Sequence, residues 1–283
     1  MNIRLEDERE RKQNKKLKIM YIAIILVCVI LAVIAITIQI VKNLPEKETK
    51  VDTSDLQKTQ LDFDNLFTNK TNYDITTSEY KVDRIDEDIR DIVYTGYTIK
   101  ETKVSNYDLD VNIPYINIRS TTIEKFNKDI KDTFEQKAKD ILSTQRQNII
   151  YRVDYSASIA NNILSVILRA TLKDGENLQR VIVRTYNYDL TEKKELSFDD
   201  LLNFKGISRQ DAGNKIKSEI KNVENKMNQL AQIGYKVYAR DSSSDIYKLD
   251  NISEYFIDKD KVIYVIFAYG NQNNTGEIDI VNL

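Results

Sequence analysis

From Ile19 to Val41 the chain runs through 23 residues without a charge, most of them Ile, Val, Leu or Ala. As one helix they extend about 34 Å, enough to cross a hydrocarbon core of about 30 Å. A helix of a soluble core would keep a polar stripe along its outer face, and this run has none. A cleaved export signal has a shorter apolar region followed by a small-x-small site, and neither holds here. Val27 and Val29 flank Cys28, so the small-residue box of a lipoprotein is also missing. The run therefore reads as a retained transmembrane helix, residues 19–41. Residues 1–18 carry seven Lys and Arg, and the stretch just after the run carries Lys42, Lys47 and Lys50. That asymmetry predicts a cytoplasmic tail of residues 1–18 and an extracytoplasmic C-terminal part.

The formal net charge is −2, and residues 1–41 hold seven basic and four acidic side chains, which leaves 35 basic and 40 acidic, or −5, beyond them. No basic patch stands out, so nucleic acid is not an expected partner. The chain has no histidine, and its one cysteine lies in the apolar run. Ser-His-Asp and Cys-His nucleophile systems, HExxH zinc sites and exported disulfides are thereby excluded. No metal and no cofactor is expected. Two prolines and seven glycines among 283 residues argue for folded structure rather than a long disordered stalk.

Residues 42–66 are polar and mixed and read as a linker. The acidic stretch with Asp83, Asp86, Glu87, Asp88 and Asp91 is a calcium candidate without the glycine or ligand order of an EF-hand; a solvated loop is the alternative. Residues 91–104 and 107–118 read as strands. Leu109, Val111 and Ile113 alternate with polar residues, and Pro114 suggests an edge or a bulge. Thr121 and Glu124 form a capping-box pattern. Ile123, Phe126, Ile130, Phe134, Ala138 and Ile141 then make one helical stripe. Strands at 149–160, 162–172 and 178–190 follow, joined by turn signals at Asn161-Asn162 and Asp174-Gly175. A second helix, from Ser208 to about Ile233, carries Ala212, Ile216, Ile220, Val223, Met227 and Leu230 before Gly234. Residues 240–245 are a loop, and strands are expected near 253–258, 261–269 and 276–282. Val262 to Ala268 is apolar throughout and should be buried on both faces. The predicted class is α+β: after the transmembrane helix, antiparallel sheets each packed by a helix, in a first module of residues 67–195 and a second of 196–283.

The segments VNIPYINIRSTTIEKFNKDI, YSASIANNILSVILRATLKDG, VIVRTYNYDLTEKKELSFDDLL and YFIDKDKVIYVIFAYG, in that order, resemble a paired extracytoplasmic domain of low-GC bacteria. That pair occurs in the lysozyme-binding anti-sigma factor RsiV and in the N-terminal region of the peptidoglycan deacetylase PdaC. The resemblance covers roughly residues 92–283. It implies the fold and an exported binding module whose partner is a lysozyme-like protein or peptidoglycan. The RsiV-type sigma-binding domain and the histidine-dependent PdaC-type deacetylase domain have no counterpart here, so neither output is expected.

The expected function is therefore a membrane-anchored, non-enzymatic binding or sensing module of the cell envelope. Sixteen of the 17 tyrosines lie beyond the apolar run, and tyrosine is a good contact residue. Candidate contact residues are Tyr115, at a sheet edge open to a partner strand, Asp241, Ser243 and Asp245 in one loop, and Asn271, Asn273 and Asn274 in another. One alternative is a structural or assembly role in the envelope. Another is a carboxylate-dependent wall hydrolase built on Asp199 and Asp200, although adjacent residues at a helix start point apart and suit N-capping better.

Overall fold

Apolar residues at every second position force residues 93–190 into strands, and the stripe after Thr121 forces a helix between them. A computed structural model describes residues 51–73, 81–143, 147–269 and 276–283. The apolar run 19–41 lies outside the described residues, and among those described no helix is long and apolar enough to cross a membrane.

The elements are α1 (Ser54–Asn65), β1 (Thr71–Asn72), β2 (Val93–Lys103), β3 (Tyr107–Ile116), α2 (Thr121–Ile130), α3 (Gln136–Ser143), β4 (Ile149–Ala160), β5 (Ile163–Asp174), β6 (Arg180–Asp189), β7 (Lys194–Glu195), α4 (Phe198–Lys205), α5 (Arg209–Gln232), β8 (Glu254–Ile257), β9 (Ile263–Tyr269) and β10 (Glu277–Asn282). A single π-helical turn, Lys131–Glu135, joins α2 to α3. The seven-stranded sheet has the order β2-β3-β4-β5-β6-β7, with β1 beside the far half of β4. The three-stranded sheet has the order β10-β9-β8.

The α+β class and the order of strands and helices follow the expectation. The all-antiparallel sheet does not. β3 and β4 pair in parallel from Tyr107↔Ile149 to Val111↔Val153, and β1 also runs parallel to β4. The helix between β3 and β4 carries the chain back to the starting end of the sheet, and such a crossover produces parallel neighbours. Pro114 has its irregularity on the partner strand: the register shifts between Thr95 and Tyr97, leaving Gly96 as the extra residue. The capping box at Thr121 does not form; Ser120 is the N-cap and its hydroxyl meets Thr122 Oγ1 at 3.2 Å.

Three buried clusters stack through the fold. Ile123, Ile130, Phe134, Ala138 and Ile141 of the helix pack on Leu164, Val166, Leu168 and Ala170 of β5. The other face of the sheet, with Ile167 and Val183, meets Phe256, Tyr264 and Ile266 of the small sheet. The far face of the small sheet, with Ile263, Val265 and Phe267, packs on α4 and α5. The order is thus helix, sheet, sheet, helix. Residues Ile263 to Phe267 of β9 are buried on both faces, while Val262 is half-buried and Ala268 is exposed.

The two expected modules share the middle cluster, and Val51–Leu283 is one compact unit. The expected linker 42–66 also needs correction over its described end. Ser54–Asn65 is helical, and Phe63 is fully buried against Tyr264 and Phe67, with Arg169 over the Phe67 ring at 4.2 Å.

Candidate functional site

The stripe on α5 is longer than the surface available to cover it. Ala212, Ile216 and Ile220 are buried, while Val223, Met227 and Leu230 are only half-covered. The half-covered part faces α1 across β10. Leu56 and Leu61 of α1, Val223 and Met227 of α5, and Ile278 and Ile280 of β10 line a cleft of about 500 Å³. Its size and apolar walls suit a side chain cluster or a small ligand.

Two of the charged residues that line it, Arg240 and Asp279, are buried. Arg240 and Asp279 each leave 4% of the side chain exposed. Arg240 Nε donates to both Asp279 oxygens at 3.0 Å, and its Nη2 donates to Glu277 at 2.6 Å. Tyr247 donates its hydroxyl to Asp279 at 2.7 Å. Burial pushes the Asp279 carboxyl above its usual range even with Arg240 beside it. Burial also works against the Arg240 cation, but Asp279 and Glu277 outweigh it and hold the guanidinium pKa up. The pair holds its two charges in a dry setting, where a charge is strong if paired and costly if not. At one end of the cleft Asp55 closes on Lys226 and accepts from Asn222 at 2.7 Å. Those bonds from Lys226 and Asn222 hold the Asp55 carboxyl at about 2.

The sequence-derived contact residues do not converge. Tyr115 lies on the helix-covered face of the large sheet, over Gly96, and donates to Glu135 Oε2 at 2.6 Å. Asp241 organises its own turn, accepting from Ser243 N at 2.9 Å and Ser243 Oγ at 2.6 Å. Asp245 pairs with Lys248 at 2.6 Å, and its carbonyl accepts from Asn251 at 2.6 Å. Ser243 lines a shallow hollow of about 620 Å³ beside α5. Asn271, Asn273 and Asn274 lie outside the described residues. In the acidic stretch, Asn117 grips the backbone, accepting from Ile85 N and Asp86 N and donating to Asp86 O and Ile89 O. Among the described residues no three His, Cys, Asp or Glu side chains gather at metal-binding geometry. Asp200 closes a capping box with Ser197, whose hydrogen bonds lower its pKa, and Asp199 takes both its oxygens to Arg209 at 2.5 and 2.7 Å.

Among the solved structures similar to this chain are the following two. Both are DUF3298 family proteins. One is from Pseudomonas aeruginosa PAO1, at 11% identity and a TM-score of 0.34; the other is from Bacteroides fragilis NCTC 9343, at 12% identity and a TM-score of 0.31. Each match covers 62% of this chain and 81% of the other. No protein-family profile and no curated protein matches the chain.

The cleft residues Leu56, Val223, Met227, Arg240 and Asp279 are absent from the sequence-derived set. One signal for them exists: Asp279 sits between Ile278 and Ile280 in a strand, and an acid there needs a buried partner.

Proposed function

We propose that this protein is a membrane-anchored binding or sensing module of the cell envelope. In this reading residues 19–41 are a single-pass anchor, and residues 51–283 lie outside the membrane and carry out no catalysis. The partner is a lysozyme-like protein or a wall polymer, as the likeness in segment order to the RsiV and PdaC domain pair suggests. The charge asymmetry around the apolar run supports the orientation. The observation that carries the binding role is the cleft of about 500 Å³, walled by Leu56, Val223 and Met227 and floored by the buried Arg240–Asp279 pair. Both carboxylates of the hydrolase candidate, Asp199 and Asp200, are committed to structural bonds, which favours binding over hydrolysis.

The full-length protein in mild detergent tests this reading by its retention on purified wall polymer and, separately, on immobilised lysozyme. The expected result is saturable retention on one of them. Met227→Glu, which puts a charge on the apolar wall, should weaken it about tenfold or more. Failure of retention on both, with crosslinked oligomers in the membrane, would instead assign the protein an assembly role.

A further inference from the structure

Between the end of α1 and the β8–β9 hairpin lies a different cavity, of about 320 Å³. Asp62, Asn65 and Asn69 line one side and Asp258, Lys259 and Asp260 the other, and Ser158 of β4 and Tyr264 of β9 also line it. Ser158 is 1% exposed, and among the described residues its hydroxyl oxygen has no hydrogen-bond partner. Two residues earlier on the strand, Ser156 does have one: its hydroxyl accepts from Asn72 at 2.9 Å. Buried polar groups are almost always satisfied, so an orphan hydroxyl lining a cavity calls for an explanation.

The lining has a definite chemistry. Asp62 engages no hydrogen bond or ion pair among the described residues. Asp258 uses Oδ1 to accept from Asp260 N and Val262 N at 2.9 Å, while among the described residues Oδ2 meets only the Tyr264 hydroxyl, at 3.4 Å. Asp260 is matched by Lys259 at 2.7 Å, so the cavity keeps the net negative charge of Asp62 and Asp258. An anionic ligand is repelled. Two carboxylates short of a full donor set suit an ammonium group better than a metal ion. The amides of Asn65 and Asn69 each offer a donor and an acceptor, and Ser158 offers both in one group, a pattern that matches ring hydroxyls in either orientation. The volume lies at the low end of ligand pockets and suits one pyranose ring.

We propose that this cavity binds an amino sugar, a pyranose carrying a protonated amine. The ammonium sits between Asp62 and Asp258, and the ring hydroxyls bond to Asn65, Asn69 and Ser158. This deepens the binding-module reading and rests on it only for access to wall sugars; none of these residues belongs to the α1–α5 cleft.

Calorimetric titration of the full-length protein in detergent tests the proposal with four probes: a fully deacetylated glucosamine tetramer, its N-acetylated form, a glucose tetramer and pentalysine. The glucosamine tetramer should bind saturably, and the acetylated and glucose tetramers about tenfold more weakly, because they lack the charge. Ser158→Ala should weaken glucosamine binding about fivefold while leaving the unfolding temperature of the free protein unchanged or higher, because the hydroxyl it removes has no partner. Asp62→Asn should abolish the preference for the amine. Absence of saturable glucosamine binding, equal binding by Ser158→Ala, or equal or tighter binding of pentalysine would each overturn the proposal. Met227→Glu separates this site from the cleft: sugar binding should survive it even where retention on lysozyme or intact wall polymer is lost. Loss of sugar binding in Met227→Glu would overturn the assignment to this cavity.

Discussion

Glu254 of β8 accepts the backbone N–H of Thr185 on β6 at 2.7 Å and the Thr185 hydroxyl at 3.1 Å. Thr185 Oγ1 in turn accepts from Tyr255 N at 3.0 Å, and Asn187 donates to the Tyr255 carbonyl at 2.8 Å. Ser165 donates to Asn187 at 2.6 Å. This polar seam fixes the small sheet on the large one.

Burial raises the Glu254 pKa above 4.5, against the opposing pull of Arg184 and Thr185. Its protonated form is favoured by the folded state. The stability this provides is complete below 4.5 and is lost as pH rises through the raised folded value. Glu254→Gln removes the titration. Urea midpoints measured across that window should fall less with rising pH in the variant than in the parent.

Tyr115 and Glu135 make the opposite case. Burial pushes the Glu135 carboxyl up, but bonds from Lys139 at 2.5 Å and Tyr115 outweigh it and hold the pKa below 4.5. The stabilisation is present above 4.5 and is lost as pH falls through the depressed folded value. Tyr115→Phe should cost about 1–2 kcal/mol at neutral pH and less in acid, read by chemical denaturation.

Gly96 is needed for the same contact. A Cβ there would lie 2.3 Å from Tyr115 Cδ2 and 2.5 Å from Cγ. Gly96→Ala therefore has to displace the ring from Glu135, at a cost of about 1–3 kcal/mol. Combined with Tyr115→Ala, which removes the ring, the Gly96→Ala penalty should largely disappear in a double-mutant cycle.

Phe63 ties α1 into the cluster between the sheets. Phe63→Ala should cost about 3–5 kcal/mol in thermal or chemical unfolding. A residue in a free linker would cost nothing measurable.

The strands and long helices were legible because their apolar residues recur at spacings only one backbone period satisfies. Leu109, Val111 and Ile113 alternate, and Ile123 through Ile141 follow a helical stripe. Three features were not legible. The parallel pairing of β3 with β4 depends on the path of the crossover, which side-chain alternation does not encode. The helix α1 has only Leu56, Leu61, Phe63 and a few polar neighbours to mark it, and tertiary burial of Phe63 decides its fate. The cleft arises where the α5 stripe outruns its cover, a relation between elements remote in sequence. The loop acids Asp241 and Asp245 are exposed polar residues in the sequence, yet their carboxylates are occupied by Ser243 and Lys248.

The account rests on residues 51–283 lying outside the membrane. The most direct test replaces the lone cysteine by Cys28→Ser and installs one on the exposed face of α5 by Lys217→Cys. A membrane-impermeant maleimide is then applied to intact cells stripped of their wall. The account predicts labelling as complete as that of an exported control, with no increase on lysis. Labelling only after the membrane is permeabilised would contradict it.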